Sequence, residues 1–394
     1  MLPNFGAQRT KFARNAHDLL LLYYSCDTVE VESMLKTLLP AVVACSFIAA
    51  QASAAVAPAD LPIAPGEGRQ VAQKLEHELV ETFVFRDQAE AYAAMLRKNA
   101  AAGRYDSGTR GEVAKRMTAD LLAVHKDGHL AVNVTSAEDR AGAGAGPPSG
   151  FPPLIQSAKT IAPGIGYIRF SAFFGTAEEM AGVRQWLADN RDARVLIFDL
   201  RNHHGGGLDE QDAIFSSIFD RPTPLLRMAM AKQIFAKYGS PMGNAPSLNF
   251  EAEGDKMVAT HSALPGPATP LRQAKVYLLV SNKTASAAEH FALALKSSGR
   301  ATLIGEATAG ANHFGGPAEL DEYFNVWMPI GRTYDVKTGQ DWEGAGVAPD
   351  IEADPRQALV IALEQAGLSH EEAVRLDSGE VPAEPVHADK VRAR

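Results

Sequence analysis

The chain has 394 residues, 46% of them hydrophobic and 22% charged, a balance that buries at least one large core and excludes disorder as the default. Its formal charge of -9 gives no basic field for nucleic acid and no Lys/Arg cluster dense enough to hold an anionic membrane. Both cysteines, Cys26 and Cys45, lie near the start, which excludes a disulfide framework, a thiolate metal site or a cysteine nucleophile further on.

From Met34 the chain reads MLKTLLPAVVACSFIAAQASA: one lysine, an apolar stretch, then Ala52-Ser53-Ala54. This is the three-part layout of a secretory signal over residues 34–54, with cleavage expected after Ala54. The apolar run is short of the roughly 20 strongly apolar residues of a membrane span. Residues 1–33 show no useful periodicity and read as an upstream extension, with Met34 as the expected biological start. A rival reading takes Val42-Val43-Ala44-Cys45 as a lipobox and Cys45 as a lipid anchor.

Residues 65–125 read as a helical bundle. Val71, Leu75, Leu79, Val80 and Phe83 recur at helical spacing between Gly68 and Phe85, as do Ala89, Tyr92, Met95 and Leu96 between Gln88 and Asn99. Val113, Met117, Leu121 and Leu122 mark a third helix over Arg110 to Val124. After His129 the texture changes. Leu130 to Val134 is a short β-branched run, and Ala141 to Pro153 is a Gly/Pro/Ala linker.

Strand and helix patterns then alternate through residues 126–366. Ile165–Phe170, Val195–Leu200, Lys275–Val280 and Ala301–Gly305 read as strands, and Thr176–Asn190, Leu208–Phe219 and Ser286–Ser297 as helices. The alternation predicts an α/β (α+β) chain: a three-helix bundle followed by a layered α/β core with parallel crossovers. Leu225 to Pro270 is interrupted by Pro and Gly and has no clear assignment. Residues 367–394 read as a polar tail.

Four segments could carry chemistry. Ser286 follows the strand VYLLV, opens the helix HFALALKSSG and precedes Glu289 by three residues, which is a capping box. The same position places a serine hydroxyl where a helix N-terminus favours a developing anion, with the Ala287 N–H beside it. Position alone does not separate the two readings. Gly205-Gly206-Gly207 after VLIFDL exposes N–H groups for an anion pocket or merely turns the chain sharply. No Gly-Lys-Ser/Thr follows it, so it is not a phosphate loop. His203 and His204 are adjacent, point in different directions and lack a carboxylate/histidine set with ligand spacing, so no metal is expected. His129, in Lys126-Asp127-Gly128-His129, is either a satisfied structural residue or the proton acceptor of a serine nucleophile. Glu343, in Trp342-Glu343-Gly344, sits in a turn-like stretch.

Together, GHL, DLRxxxGGG, TASAAEHFALALKSSGRATLIGEATAGANHFGG and WEGAGVAPDIE make the chain resemble the tail-specific (C-terminal processing) protease superfamily, in its interphotoreceptor retinoid-binding-protein-like and tricorn-like branch. The likeness runs from about Val71 to Ala353. It implies a serine peptidase core of the ClpP/crotonase-like type with no PDZ domain, Leu130 to Ile165 being too short to hold one. By position it makes Ser286 the nucleophile, His129 the general base and Glu343 the completing acid. Ala287 and Gly205 or Gly206 become the oxyanion donors, and His313 a substrate-neighbouring residue. No cofactor is needed.

Departures from the pattern are visible. Ala309-Gly310-Ala311-Asn312 stands where the lysine-dependent branch carries its base, Gly128 where the tricorn tetrad has a serine, and His203 where an asparagine is usual. The reading is an exported, periplasmic or secreted serine peptidase with peptide or protein substrates. Alternatives are an apolar-ligand binder of the retinoid or fatty-acid kind, and an esterase, since an acyl-enzyme route does not itself choose amide over ester.

Overall fold

The computed structural model describes residues 56–135, 147 and 150–380. The extension, the signal segment, Cys45, most of the 141–153 linker and residues from 381 onward lie outside the described residues.

Three helices come first: α1 (Glu67–Thr82), α2 (Arg86–Ala101) and α3 (Arg110–Val124). Their apolar stripes meet in one cluster containing Val71, Leu75, Leu79, Tyr92, Leu96 and Met117. Thr109 caps α3 through a reciprocal box with Glu112. The same cluster takes in Leu130, Val132, Phe324 and Val326, so the helices share their core with a sheet rather than closing on themselves.

That sheet is antiparallel. β1 (Ala131–Val134), β11 (Phe324–Asp335), β5 (Thr223–Ala231), β7 (Lys256–Ala263) and β6 (Leu248–Glu253) pair in that order, and β10 (Phe314–Glu319) also pairs with β11. The unassigned stretch Leu225 to Pro270 therefore holds three strands and the short helix α6 (Lys232–Tyr238).

The second sheet runs β12 (Ile351–Glu352), β9 (Thr302–Gly305), β8 (Lys275–Val280), β4 (Val195–Asp199), β3 (Ile165–Phe170), β2 (Ile155–Ala162). All neighbours are parallel except the β2–β3 edge pair. Helices α4 (Ala177–Asp189), α5 (Asp209–Ile218) and α7 (Ala287–Ser297) cover the face carrying Leu196, Phe198, Leu278 and Val280. Helices α8 (Ala358–Gln365) and α9 (His370–Asp377) cover the face carrying Val195, Ile197, Tyr277 and Leu279. Covering both faces explains why β4 is an unbroken apolar run rather than an alternating one. Phe291 on α7 meets the rings of Phe173, Phe198 and Phe215 at 6.0, 5.5 and 5.4 Å, tying α7 to β4, α5 and the segment after β3. Truncating it to Ala would cost about 3–5 kcal/mol. Among the described residues, no helix is long and apolar enough to cross a membrane.

The polar tail differs from its reading at one point. Ser369 and Glu372 form a capping box that starts α9, and Ala373 buries against α8.

Candidate active site

The parallel strands β4 and β8 end side by side, and their connections form the site, as expected at the carboxyl ends of such strands. Asp199 closes β4. It is fully buried, and it accepts from Arg201 Nε at 2.9 Å, Arg201 Nη2 at 2.6 Å and the Tyr167 hydroxyl at 2.7 Å. Burial alone would raise the Asp199 pKa, but the Arg201 guanidinium beside it holds the carboxyl below its ordinary value. Thr284 Oγ1 donates to the Leu200 carbonyl at 2.7 Å and the Ala285 N–H to His203 O at 3.0 Å, which locks the two connections together.

Ser286 stands at the head of α7 with φ 57° and ψ -120°. It is the one non-glycine residue with positive φ among the described residues. Such a backbone costs about 1–3 kcal/mol and persists only where its surroundings impose it. A serine on a strained strand-to-helix turn presents its hydroxyl above the end of the sheet. The Glu half of the capping box is built: the Ser286 N–H donates to Glu289 Oε2 at 2.8 Å. The Glu289 N–H goes to the Ser286 carbonyl at 2.8 Å.

Glu289 is itself fully buried and accepts from Thr308 Oγ1 at 2.6 Å, the Gly310 N–H at 2.7 Å and the Ala311 N–H at 2.9 Å. Burial pushes its pKa up against those donors. A second carboxylate continues the brace. Glu343 accepts from the Gly128 N–H at 2.8 Å and the Asn312 N–H at 2.7 Å, its Oε2 lying 3.7 Å from His313 Nδ1. A third, Asp127, accepts from the His129 and Leu130 N–H groups at 2.9 and 3.1 Å and from His313 Nδ1 at 2.7 Å. Gly128 packs closely on the next turn, since a Cβ there would lie 3.0 Å from Ala311. The turns bearing Ser286, His129 and His313 are thus joined by three acids.

His129 is half-buried, with its ring stacked on Trp327 at 6.2 Å. Burial works against the charged form of His313, but the Asp127 hydrogen bond and the nearby acids outweigh it and raise its pKa. Asp127 is lowered in return, its burial overcome by His313 and His129. Burial raises Glu343. Asp127, His313 and Glu343 each offer a metal-ligand atom within 4.8 Å of the others. The carboxylate oxygens already accept from backbone N–H groups, Asp127 hydrogen-bonds the His313 imidazole, and Glu343 accepts the His313 backbone N–H at 3.2 Å.

The glycine turn lies against the serine. A Cβ on Gly205 would stand 2.7 Å from Ser286 Cβ and 3.2 Å from its Oγ. The Gly205 N–H is not available to an oxyanion, because it donates to His203 Nδ1 at 3.0 Å. Burial pulls His203 down to about 3, so its ring is neutral and can accept that bond. The bridge between Phe173 and Gly206 uses the Gly205 carbonyl and the Gly207 N–H, which leaves the Gly206 N–H outside it. Ala287, as the first residue of α7, has no acceptor within the helix for its N–H.

Two buried polar sets had no reading in the sequence. Asp212 Oδ1 lies 2.9 Å from His261 Nε2, and His261 Nδ1 lies 2.8 Å from His290 Nε2 on α7. Glu179 and Glu210 pair their carboxyls beneath the Phe174-Gly175 turn, and burial with the neighbouring acid pushes Glu179 up to about 8.

A parallel sheet covered on both faces, with a serine on a strained elbow beside a glycine turn, defines an α/β class of elbow-mounted serine proteins. Within it, residues 164–353 match the model of peptidase family S41. The match takes in Ser286, His313 and Glu343 and begins after His129. The carboxyl-terminal-processing protease of Picosynechococcus sp. (strain ATCC 27264 / PCC 7002 / PR-6) is 28% identical over 201 residues, 50% of this chain and 41% of that protein. The chloroplastic C-terminal processing peptidase of Tetradesmus obliquus is 26% identical over 191 residues, 48% of this chain and 35% of that protein. The chain therefore spans less than half the length of these relatives. A solved structure from Parabacteroides merdae ATCC 43184 shares the fold, with TM-score 0.53 and 18% identity over 77% of this chain and 97% of that one.

Proposed function

We propose that the protein is an exported serine peptidase acting on peptide or protein substrates. The observation that carries this reading is the strained Ser286 elbow against the glycine turn, a conformation that capping alone does not require. Ser286 Oγ attacks the substrate carbonyl and His129 takes its proton, returning it to the leaving amine; water, deprotonated by His129, then cleaves the acyl–Ser286 ester and the proton returns to Oγ. Asp127 accepts the His129 N–H and Glu343 the Gly128 N–H beside it, so both acids position the turn that carries the base. The Ala287 and Gly206 N–H groups receive the oxyanion, while Gly205 supports the turn. Export rests on the 34–54 segment.

The reading is tested by hydrolysis of a mixed fluorogenic peptide pool beside a p-nitrophenyl ester. Release from peptides, lost in Ser286→Ala, is the expected result. Ester cleavage without peptide cleavage would move the protein to the esterases.

A further inference from the structure

Helix α5 sends two consecutive polar side chains toward the first turn of α7. Gln211 is fully buried, and its Nε2 donates to the Ala287 carbonyl at 2.9 Å and to the Gly207 carbonyl at 3.2 Å. Asp212 Oδ1 lies 2.9 Å from His261 Nε2, and His261 Nδ1 lies 2.8 Å from the ring of His290, whose backbone N–H donates to the Ser286 carbonyl at 3.0 Å.

The Gln211 amide can stand only one way round. Turned over, its oxygen would face two carbonyl oxygens, three acceptors with no proton among them. In the orientation present both N–H bonds go to main-chain carbonyls, and Oε1 is buried without a hydrogen-bond partner among the described residues. An unpaired buried acceptor is destabilising, and an apolar side chain of similar size would avoid it. The position therefore uses the NH₂ half of the amide and tolerates the other half.

The two carbonyls it holds belong to the segments that carry the oxyanion donors. Ala287 carries one donor N–H, and Gly207 follows Gly206, which carries the other. Gly205 and Gly206 have φ of 103° and 130°, and no side chain fixes their peptide planes. Those planes are set by hydrogen bonds: Phe173 pairs with the Gly205 carbonyl at 2.9 Å and the Gly207 N–H at 2.8 Å, and Gln211 takes the Gly207 carbonyl. We infer that Gln211 is a positioning residue for the oxyanion pocket: one amide ties the glycine turn to the first residue of α7 and fixes the separation at which the Gly206 and Ala287 N–H groups meet a single oxygen. A donor aimed at developing charge acts through its placement, so a shift on the order of 1 Å removes most of its effect. The inference rests on the peptidase reading for its nucleophile and names what holds the two donors in register.

The experiment follows labelling of Ser286 by an alkyl fluorophosphonate over a range of probe concentrations, which separates the limiting rate from the half-saturating concentration, with circular dichroism giving the folded fraction of each protein. Gln211→Leu fills the space without a donor. Its limiting rate per folded molecule should fall about 100-fold, the scale of one oxyanion donor, while half-saturation stays within about twofold. Gln211→Glu is the conservative variant: burial keeps its carboxyl protonated, one O–H replaces two N–H bonds, and its rate should lie between the two, roughly 3- to 10-fold below normal. Should Gln211→Leu unfold, Gln211→Glu decides alone. A folded Gln211→Leu protein labelled within a few-fold of normal, a change confined to half-saturation, or Gln211→Glu at the normal rate would overturn the inference and leave the peptidase reading standing. No adduct on Ser286 of the unaltered protein would overturn the peptidase reading, and this inference with it.

Discussion

The Glu289 carboxylate accepts the N–H of Ser286 at 2.8 Å while three other donors, from Thr308, Gly310 and Ala311, converge on the same two oxygens. One acid therefore fixes the serine elbow to the turn that leads to His313. Glu289→Gln keeps the shape but turns an amide NH₂ toward backbone N–H groups, leaving buried donors unpaired. A loss of about 1–3 kcal/mol in urea unfolding is expected. Labelling of Ser286 should fall with it, since the elbow would no longer be imposed.

Backbone strain at Ser286 predicts a trade between stability and activity. Glycine adopts positive φ without steric cost, so Ser286→Gly should relieve strain and raise unfolding free energy by about 1 kcal/mol, after its own entropic cost. All covalent chemistry at the position should vanish. A denaturant midpoint at or below that of the unaltered protein would show that the elbow is relaxed.

Gly205 makes the opposite prediction. Its φ of 103° and the 2.7 Å approach of a Cβ to Ser286 Cβ leave no room for a methyl group. Gly205→Ala should slow fluorophosphonate labelling by about 100-fold or more, because the methyl group would push Ser286 and the adjoining Gly206 N–H out of place, the scale of losing one oxyanion donor. A labelling rate within a few-fold of normal would mean that the turn does not shape the pocket.

The Glu179–Glu210 pair sets a pH dependence of stability. The folded protein holds Glu179 protonated up to about 8, whereas its ordinary value is 4.5. Between those values the folded state binds a proton that the unfolded state has released, so stability falls as pH rises through the window and levels off above it. Thermal midpoints measured from pH 5 to 8.5 should show this decline, and Glu179→Gln should flatten it.

Much of the nucleophile region was legible because it is local: strand, small residues, capped helix and the Gly-rich turn all lie within about thirty residues of sequence. The glycine turn was legible for the same reason. What the residues could not display was distance in space. Asp127 and His313 are 186 residues apart, and nothing in either segment names the other as a partner. His261 lies in the stretch whose prolines and glycines obscured three strands, so the Asp212–His261–His290 chain had no visible frame. The fate of the Gly205 N–H depends on the rotamer of His203, which no spacing reveals. The helix α9 was missed although Ser369 and Glu372 signal its start, because a single buried residue, Ala373, gives it almost no apolar stripe.

The central claim is that Ser286 is a nucleophile activated by His129. Its most direct measurement is peptide mass spectrometry after brief exposure of the folded protein to a fluorophosphonate probe, with heat-denatured protein and His129→Ala alongside. The account predicts one adduct, on Ser286, absent after denaturation and slowed by about 100-fold or more without the imidazole. An unmodified Ser286 in the folded protein, or a rate indifferent to His129, would contradict it.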